Sequence, residues 1–123
     1  MKRDLELIRL LLLWINDNCD GVHTYSARQI RLDGHSLAEI NFNLRLMTDA
    51  NLITLDPSPR ANPNAKIIQF SRLTNDGFDF LESIRENSVW NKVKSKLEEL
   101  GSSCTLAVIK ELAIHVLEST AKP

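Results

Sequence analysis

The chain has 123 residues, 14.0 kDa, with 15 Lys and Arg against 16 Asp and Glu, for a formal net charge of −1. A hydrophobic fraction of 43% and a charged fraction of 25% exclude a disordered tail, and the length allows a core without disulfide or metal staples. The charge balance also argues against a domain held on nucleic acid by a general basic excess, because each neutralised phosphate calls for a Lys or Arg.

The first helix is predicted over Arg3–Asn18. Leu5, Ile8, Leu12 and Ile15 form one stripe, widened by Leu11 and Trp14, so it should pack on more than one side. Asp4 and Glu6 suit the positive end of its dipole, and Asp20-Gly21 marks its end. Lys2 and Arg3 precede the apolar run Leu10–Ile15, but Asp4, Glu6 and Arg9 interrupt the stretch and no small-residue cleavage site follows. The run is far too short for a bilayer. The expectation is a soluble, cytoplasmic protein, with Cys19 and Cys104 as thiols in a reducing compartment.

Val22–Asp33 reads as an extended stretch whose strand falls at Gln29–Leu32, closed by the Asp33-Gly34 turn. Ser36 and Glu39 then form a capping-box pair for a helix to about Ala50, with Leu37, Ile40, Leu44 and Met47 on its buried face. Asn51 suits a left-handed terminator, and Leu52–Leu55 reads as a strand. The loop at 56–65 holds Pro57, Pro59 and Pro63, so Leu52–Leu55 and Lys66–Leu73 should pair as an antiparallel hairpin with a long tip. Thr74 caps the next helix, with Phe78, Leu81 and Ile84 inward and a break at Asn87-Ser88. Two further amphipathic runs, 89–100 and 103–118, should form a helical hairpin, with Ser103 capping the second.

This order of elements is that of a winged helix-turn-helix. Ser36-Leu37-Ala38-Glu39-Ile40, LITLD at 52–56 and RLTNDGFDFL at 72–81 resemble the recognition helix, first wing strand and post-wing helix of winged-helix regulators. More closely, MKRDLELIR, DGHSLAEINFNLRLMTDANLI and LTNDGFDFLESIRENSVWNKVK, with the trailing helix, resemble an uncharacterised domain-of-unknown-function family of short bacterial and prophage proteins. The resemblance implies an α+β, mainly α fold: a winged helix-turn-helix-like core at 1–87 with a small β-hairpin wing, and a C-terminal helical hairpin at 88–123. It carries over no activity.

Two functional readings differ in what they ask of the helix at 36–50. Binding to double-stranded DNA asks its outer side for Arg, Asn or Ser at base edges and phosphates. Asn41, Asn43 and Arg45 are candidates there, with Arg28, Arg31, Arg60 and Lys66 as phosphate contacts around it. By segment, residues 22–75 carry +2, residues 76–123 carry −2 and residues 1–21 carry −1, so the basic groups favour the winged part. Phe42 and Leu46, however, lie on the outer side and make a second apolar stripe that calls for a cover. The cover is the C-terminal hairpin, a second subunit or a partner protein. Phe42, Leu46, Trp90, Val93 and Leu97 are therefore candidates for a protein interface, including a homodimer seam.

Catalysis, metals and cofactors find no support in the sequence. His23, His35 and His115 have no partners at ligand spacing, the four glycines form no phosphate-binding loop, and Glu98-Glu99 diverge by about 100° on a helix. A non-enzymatic protein without cofactor, small-molecule substrate or membrane partner is expected.

Overall fold

The computed structural model describes residues 1–55, 66–100 and 104–121. Within them the chain is α+β and mainly helical, with one small antiparallel sheet. It divides into two compact units, Met1–Gly77 and Phe78–Pro123. The boundary expected at 87/88 lies in the first turn of α4.

The N-terminal unit is built on α1 (Leu5–Asn18). Asp4 caps it, its carboxylate accepting from the Leu7 amide at 3.1 Å, and Leu7, Ile8, Leu11, Leu12 and Ile15 are buried. α1 packs against α2 (Leu37–Asp49) and against β3 (Gln69–Leu73), as its wide apolar circumference predicts. The sheet has the order β1-β3-β2, with β1 (Tyr25–Ser26) and β2 (Ile53–Leu55) both antiparallel to β3. Tyr25 pairs with Phe70, and Ile53 with Leu73. The ring of Tyr25 stacks on Phe70 at 6.2 Å between centroids and meets Trp14 edge-on at 6.3 Å, so one aromatic column joins α1 to the sheet. The hairpin tip at 56–65, Arg60 included, lies outside the described residues.

The strand expected at Gln29–Leu32 is instead Tyr25–Ser26, followed by a 3-10 turn at Ala27–Gln29. The cause is a second capping box. The Gln29 carboxamide accepts from the Ser26 amide at 2.7 Å, and the Ser26 hydroxyl accepts from the Arg28 amide at 3.3 Å. Ala27 and Ile30 are buried below the turn, anchoring it by the apolar groups on either side of two exposed ones. Ser-x-x-Gln at 26–29 was the sequence signal for this turn.

α2 starts and stops as its sequence dictates. Ser36 and Glu39 form the capping box, and Asn51 takes φ 61° after the last turn. The Leu52 amide then donates to the Met47 carbonyl at 2.8 Å and feeds β2. Thr74 caps α3 (Asn75–Ile84): its hydroxyl accepts from the Gly77 amide at 3.0 Å and donates to the Asn51 carbonyl at 2.5 Å.

The C-terminal unit holds the rest of α3 with α4 (Asn87–Leu100) and α5 (Leu106–Ala121). Phe80, Leu81 and Ile84 are the buried large residues of α3, whereas Phe78, expected inward, is 46% exposed. α4 and α5 pack together, and Val89, Trp90 and Val93 of the first and Leu106, Ile109, Ala113 and Val116 of the second are buried. Thr105 caps α5, its hydroxyl accepting from the Val108 amide at 3.2 Å; the expected cap, Ser103, lies outside the described residues.

Candidate functional site

The outer side of α2, with the cleft at its first turn, is where the competing readings meet. α2 buries Ile40, Asn43, Leu44 and Met47. An asparagine thus occupies the core stripe where an apolar residue is expected, while Leu37, assigned to that stripe from its spacing, is 40% exposed. Asn43 is 1% exposed because the start of α1 needs an acceptor: its side-chain oxygen takes the Asp4 amide at 2.9 Å, and its NH2 donates to the Glu39 carbonyl at 2.9 Å. A buried amide with both ends bonded ties α1 to α2 and offers nothing to a base edge. Asn43 as a nucleic-acid contact is thereby corrected to a structural tie.

Asn41 has a second structural task. Its NH2 donates to the Lys66 carbonyl at 2.6 Å and its oxygen accepts from the Ile68 amide at 2.7 Å. This bidentate clamp holds the chain as it runs toward β3, and it too is spent inside the molecule. Thr48 donates to the Leu44 carbonyl at 3.1 Å, and Arg45 is half-buried and engaged within the chain. Phe42 and Leu46 are half-buried as well.

At the first turn of α2, Arg28, Arg31, Asp33, His35, Leu37 and Ile40 line a cleft of about 570 Å³. Arg28 and Arg31 are exposed there, as is Lys66 elsewhere on the unit. The electrostatics of the cleft are mixed. Glu39 accepts from the Ser36 amide and lies 3.4 Å from His35 Nδ1; the His35 hydrogen bond first, then the Ser36 amide, hold its carboxyl below the usual carboxylate range. A fixed negative charge thus stands at the helix end that would otherwise attract a phosphate.

A second ordered polar feature lies at the end of α1. The Asp20 carboxylate accepts from the Val22 and His23 amides at 2.8 Å each and pairs with the His23 ring. These bonds, the His23 amide foremost, hold it far below the usual carboxylate range. Burial, with Asp20 beside it, pushes the Cys19 thiol up to about 11. Such a thiol is a poor nucleophile at neutral pH.

Among the protein-interface candidates, Trp90 and Val93 are buried and Leu97 is half-buried. Among the described residues no group of three or more His, Cys, Asp and Glu could hold a metal ion, and no helix is long and apolar enough to cross a membrane.

Residues 2–103 match the model of the family described as "Hypothetical protein (DUF2513)", and the chain belongs to that family. It is similar to a protein of Haemophilus influenzae carrying the description "Uncharacterized protein", 26% identical over 117 residues, 95% of this chain and 96% of that protein. No solved structure matches the chain.

Proposed function

We propose, from membership of that family and from the sheet order β1-β3-β2 beside α1 and α2, that Met1–Gly77 is a winged-helix-type scaffold. In this reading the protein is a cytoplasmic, non-catalytic accessory or regulatory factor of bacterial or prophage origin. It works by protein contact and not by reading bases. The observation that carries this is the engagement of the α2 amides: Asn41 and Asn43, its best base-reading groups, are both bonded at each end inside the chain. Phe42 and Leu46 beside them suit an apolar partner.

One observation favours a second reading. Arg28 and Arg31 are exposed on one cleft at the N-terminal end of α2, where they would meet phosphates if the scaffold lay against duplex DNA.

A salt titration separates the two. A labelled mixed-sequence duplex is titrated with the full chain by fluorescence anisotropy, starting at about 50 mM salt, where phosphate contacts are strongest. The protein-contact reading expects no binding at tens of micromolar protein. Binding that falls steeply with salt, and weakens further in Arg28→Ala and Arg31→Ala, would establish the second reading and sink the first.

A further inference from the structure

The cleft at the first turn of α2 gathers charged groups that the fold itself does not use. Of the six described arginines of Met1–Gly77, Arg3, Arg9 and Arg45 are engaged within the chain, and Arg72 donates to the Leu73 carbonyl at 2.8 Å. Among the described residues the guanidiniums of the other two, Arg28 and Arg31, have no hydrogen-bond or ion-pair partner, and both line this cleft. The carboxylate of Asp33, exposed on the same cleft, is likewise without a partner among the described residues. His35, by contrast, is taken up by Glu39, 3.4 Å from its Nδ1. Ile40, 1% exposed, and Leu37, 40% exposed, add apolar surface to the lining. The volume of about 570 Å³ lies within the roughly 300–1,000 Å³ usual for small-ligand sites.

We infer that this cleft binds a free α-amino acid with an apolar side chain. Arg28 and Arg31 take its carboxylate, Asp33 takes its ammonium, and Leu37 and Ile40 meet its side chain. A guanidinium is a planar fork of N–H donors that matches a carboxylate, and it cannot lose its charge at neutral pH. A free carboxylate beside two free arginines asks for a ligand that carries both signs. With Glu39 at its margin the cleft holds two positive and two negative groups, so its field suits a ligand of zero net charge better than a phosphate. A phosphate would satisfy the arginines and leave Asp33 facing a like charge. A peptide end carries only one of the two charged groups, so a free amino acid is the ligand that uses all three side chains. The same contact accounts for Leu37, a large apolar side chain that the core does not cover. The inference goes beyond both readings of the N-terminal unit and rests on neither.

Isothermal titration calorimetry of the full chain with L-leucine, L-methionine and L-phenylalanine tests it. One of the three at least should bind with a Kd below about 1 mM. The N-acetyl derivative of the tightest, which lacks the ammonium, and its amide, which lacks the carboxylate, should each bind at least about tenfold more weakly. Arg28→Ala and Arg31→Ala should each weaken the amino acid about tenfold. Asp33→Asn should weaken it by a similar factor and leave the N-acetyl derivative no weaker than on wild type, which a merely structural effect would not do. All three positions are exposed, so the far-UV circular dichroism spectrum should be unchanged. Should a variant lose helix, the two derivatives on wild type carry the test. No heat from any of the three amino acids at about 5 mM, a derivative that binds as tightly as its parent, or inorganic phosphate that displaces the amino acid at equal concentration would each overturn the inference. The duplex titration is decided separately, so a failure here leaves the protein-contact reading standing.

Discussion

Replacing Gly77 with alanine should destabilise the N-terminal unit although alanine is the better helix former. A Cβ at 77 would lie 2.0 Å from the Leu52 carbonyl oxygen and 2.9 Å from its carbon, where a close C–H···O contact needs about 3.3 Å. Backbone must therefore move by about 1 Å. The carbonyl is not free to yield: it accepts from the Thr74 amide at 3.0 Å, and Thr74 in turn holds the Asn51 carbonyl and the Gly77 amide. Losing about two of these bonds costs about 1 kcal/mol each. Overpacking adds about 1–3 kcal/mol, and the better helix propensity returns about 1 kcal/mol. The net is about 2–4 kcal/mol, a fall in Tm of roughly 8–15 °C for a chain of this size. Thermal unfolding followed by circular dichroism reads it directly. A Tm equal to or above wild type would mean that propensity alone governs position 77, and the close approach of Gly77 to the Leu52 carbonyl would be refuted.

The remaining predictions concern groups whose partners are specific. Asn43→Ala removes both the acceptor for the Asp4 amide and the donor to Glu39, and should cost about 2–3 kcal/mol in urea unfolding, since it strands buried backbone groups. Asn41→Ala should cost less, about 1 kcal/mol, and show itself as faster hydrogen exchange at the Ile68 amide while exchange in α1 is unchanged. Asp20 has a folded-state carboxyl depressed below its unfolded value near 3.9, so its contribution is complete above about pH 4 and disappears as the pH falls toward the folded value. The stability difference between wild type and Asp20→Asn should thus be flat from pH 5 to 7 and shrink below pH 4; a difference that grew on acidification would contradict the sign. Cys19, with its thiol at about 11, should react with iodoacetamide at pH 8 at least tenfold slower than an ordinary thiol near 8.5, and faster in Asp20→Asn.

Much of the architecture was legible because it is encoded locally. The Ser36–Glu39 capping box, the positive φ of Asn51, the cap at Thr74 and the antiparallel pairing of residues 53–55 with 69–73 are each written in a few neighbouring residues. The errors arose where tertiary demand overrode local pattern. Periodicity puts Leu37 inside and Asn43 outside, yet the unpaired amide at the start of α1 draws Asn43 inward. Leu37, in the first turn, projects toward the N-terminal end of its helix and lines the cleft with Arg28 and Arg31. At α3, Phe78, Leu81 and Ile84 fit one helical stripe as well as Phe80, Leu81 and Ile84 fit a neighbouring one, and spacing alone does not rank them. The 3-10 turn at 27–29 is a different kind of miss, since its capping box was visible and only the apolar alternation around it suggested a strand.

The candidate site was harder to read than the fold for a chemical reason. A sequence lists hydrogen-bonding groups but does not say whether their capacity is already used. Asn41 and Asn43 have the composition of a base-reading helix and the bonding of a scaffold: four side-chain contacts, at 2.6, 2.7, 2.9 and 2.9 Å, all satisfied within the chain. Releasing either amide to a ligand would break two such bonds, about 2 kcal/mol in all, against the roughly 1–3 kcal/mol that a bidentate base contact supplies. For Asn43 the exchange also exposes a buried tie between α1 and α2. Base reading by Asn41 or Asn43 therefore gains almost nothing on balance. The apolar pair Phe42 and Leu46, which raised the objection to base reading, and the internally bonded amides beside it favour the same conclusion from independent chemistry.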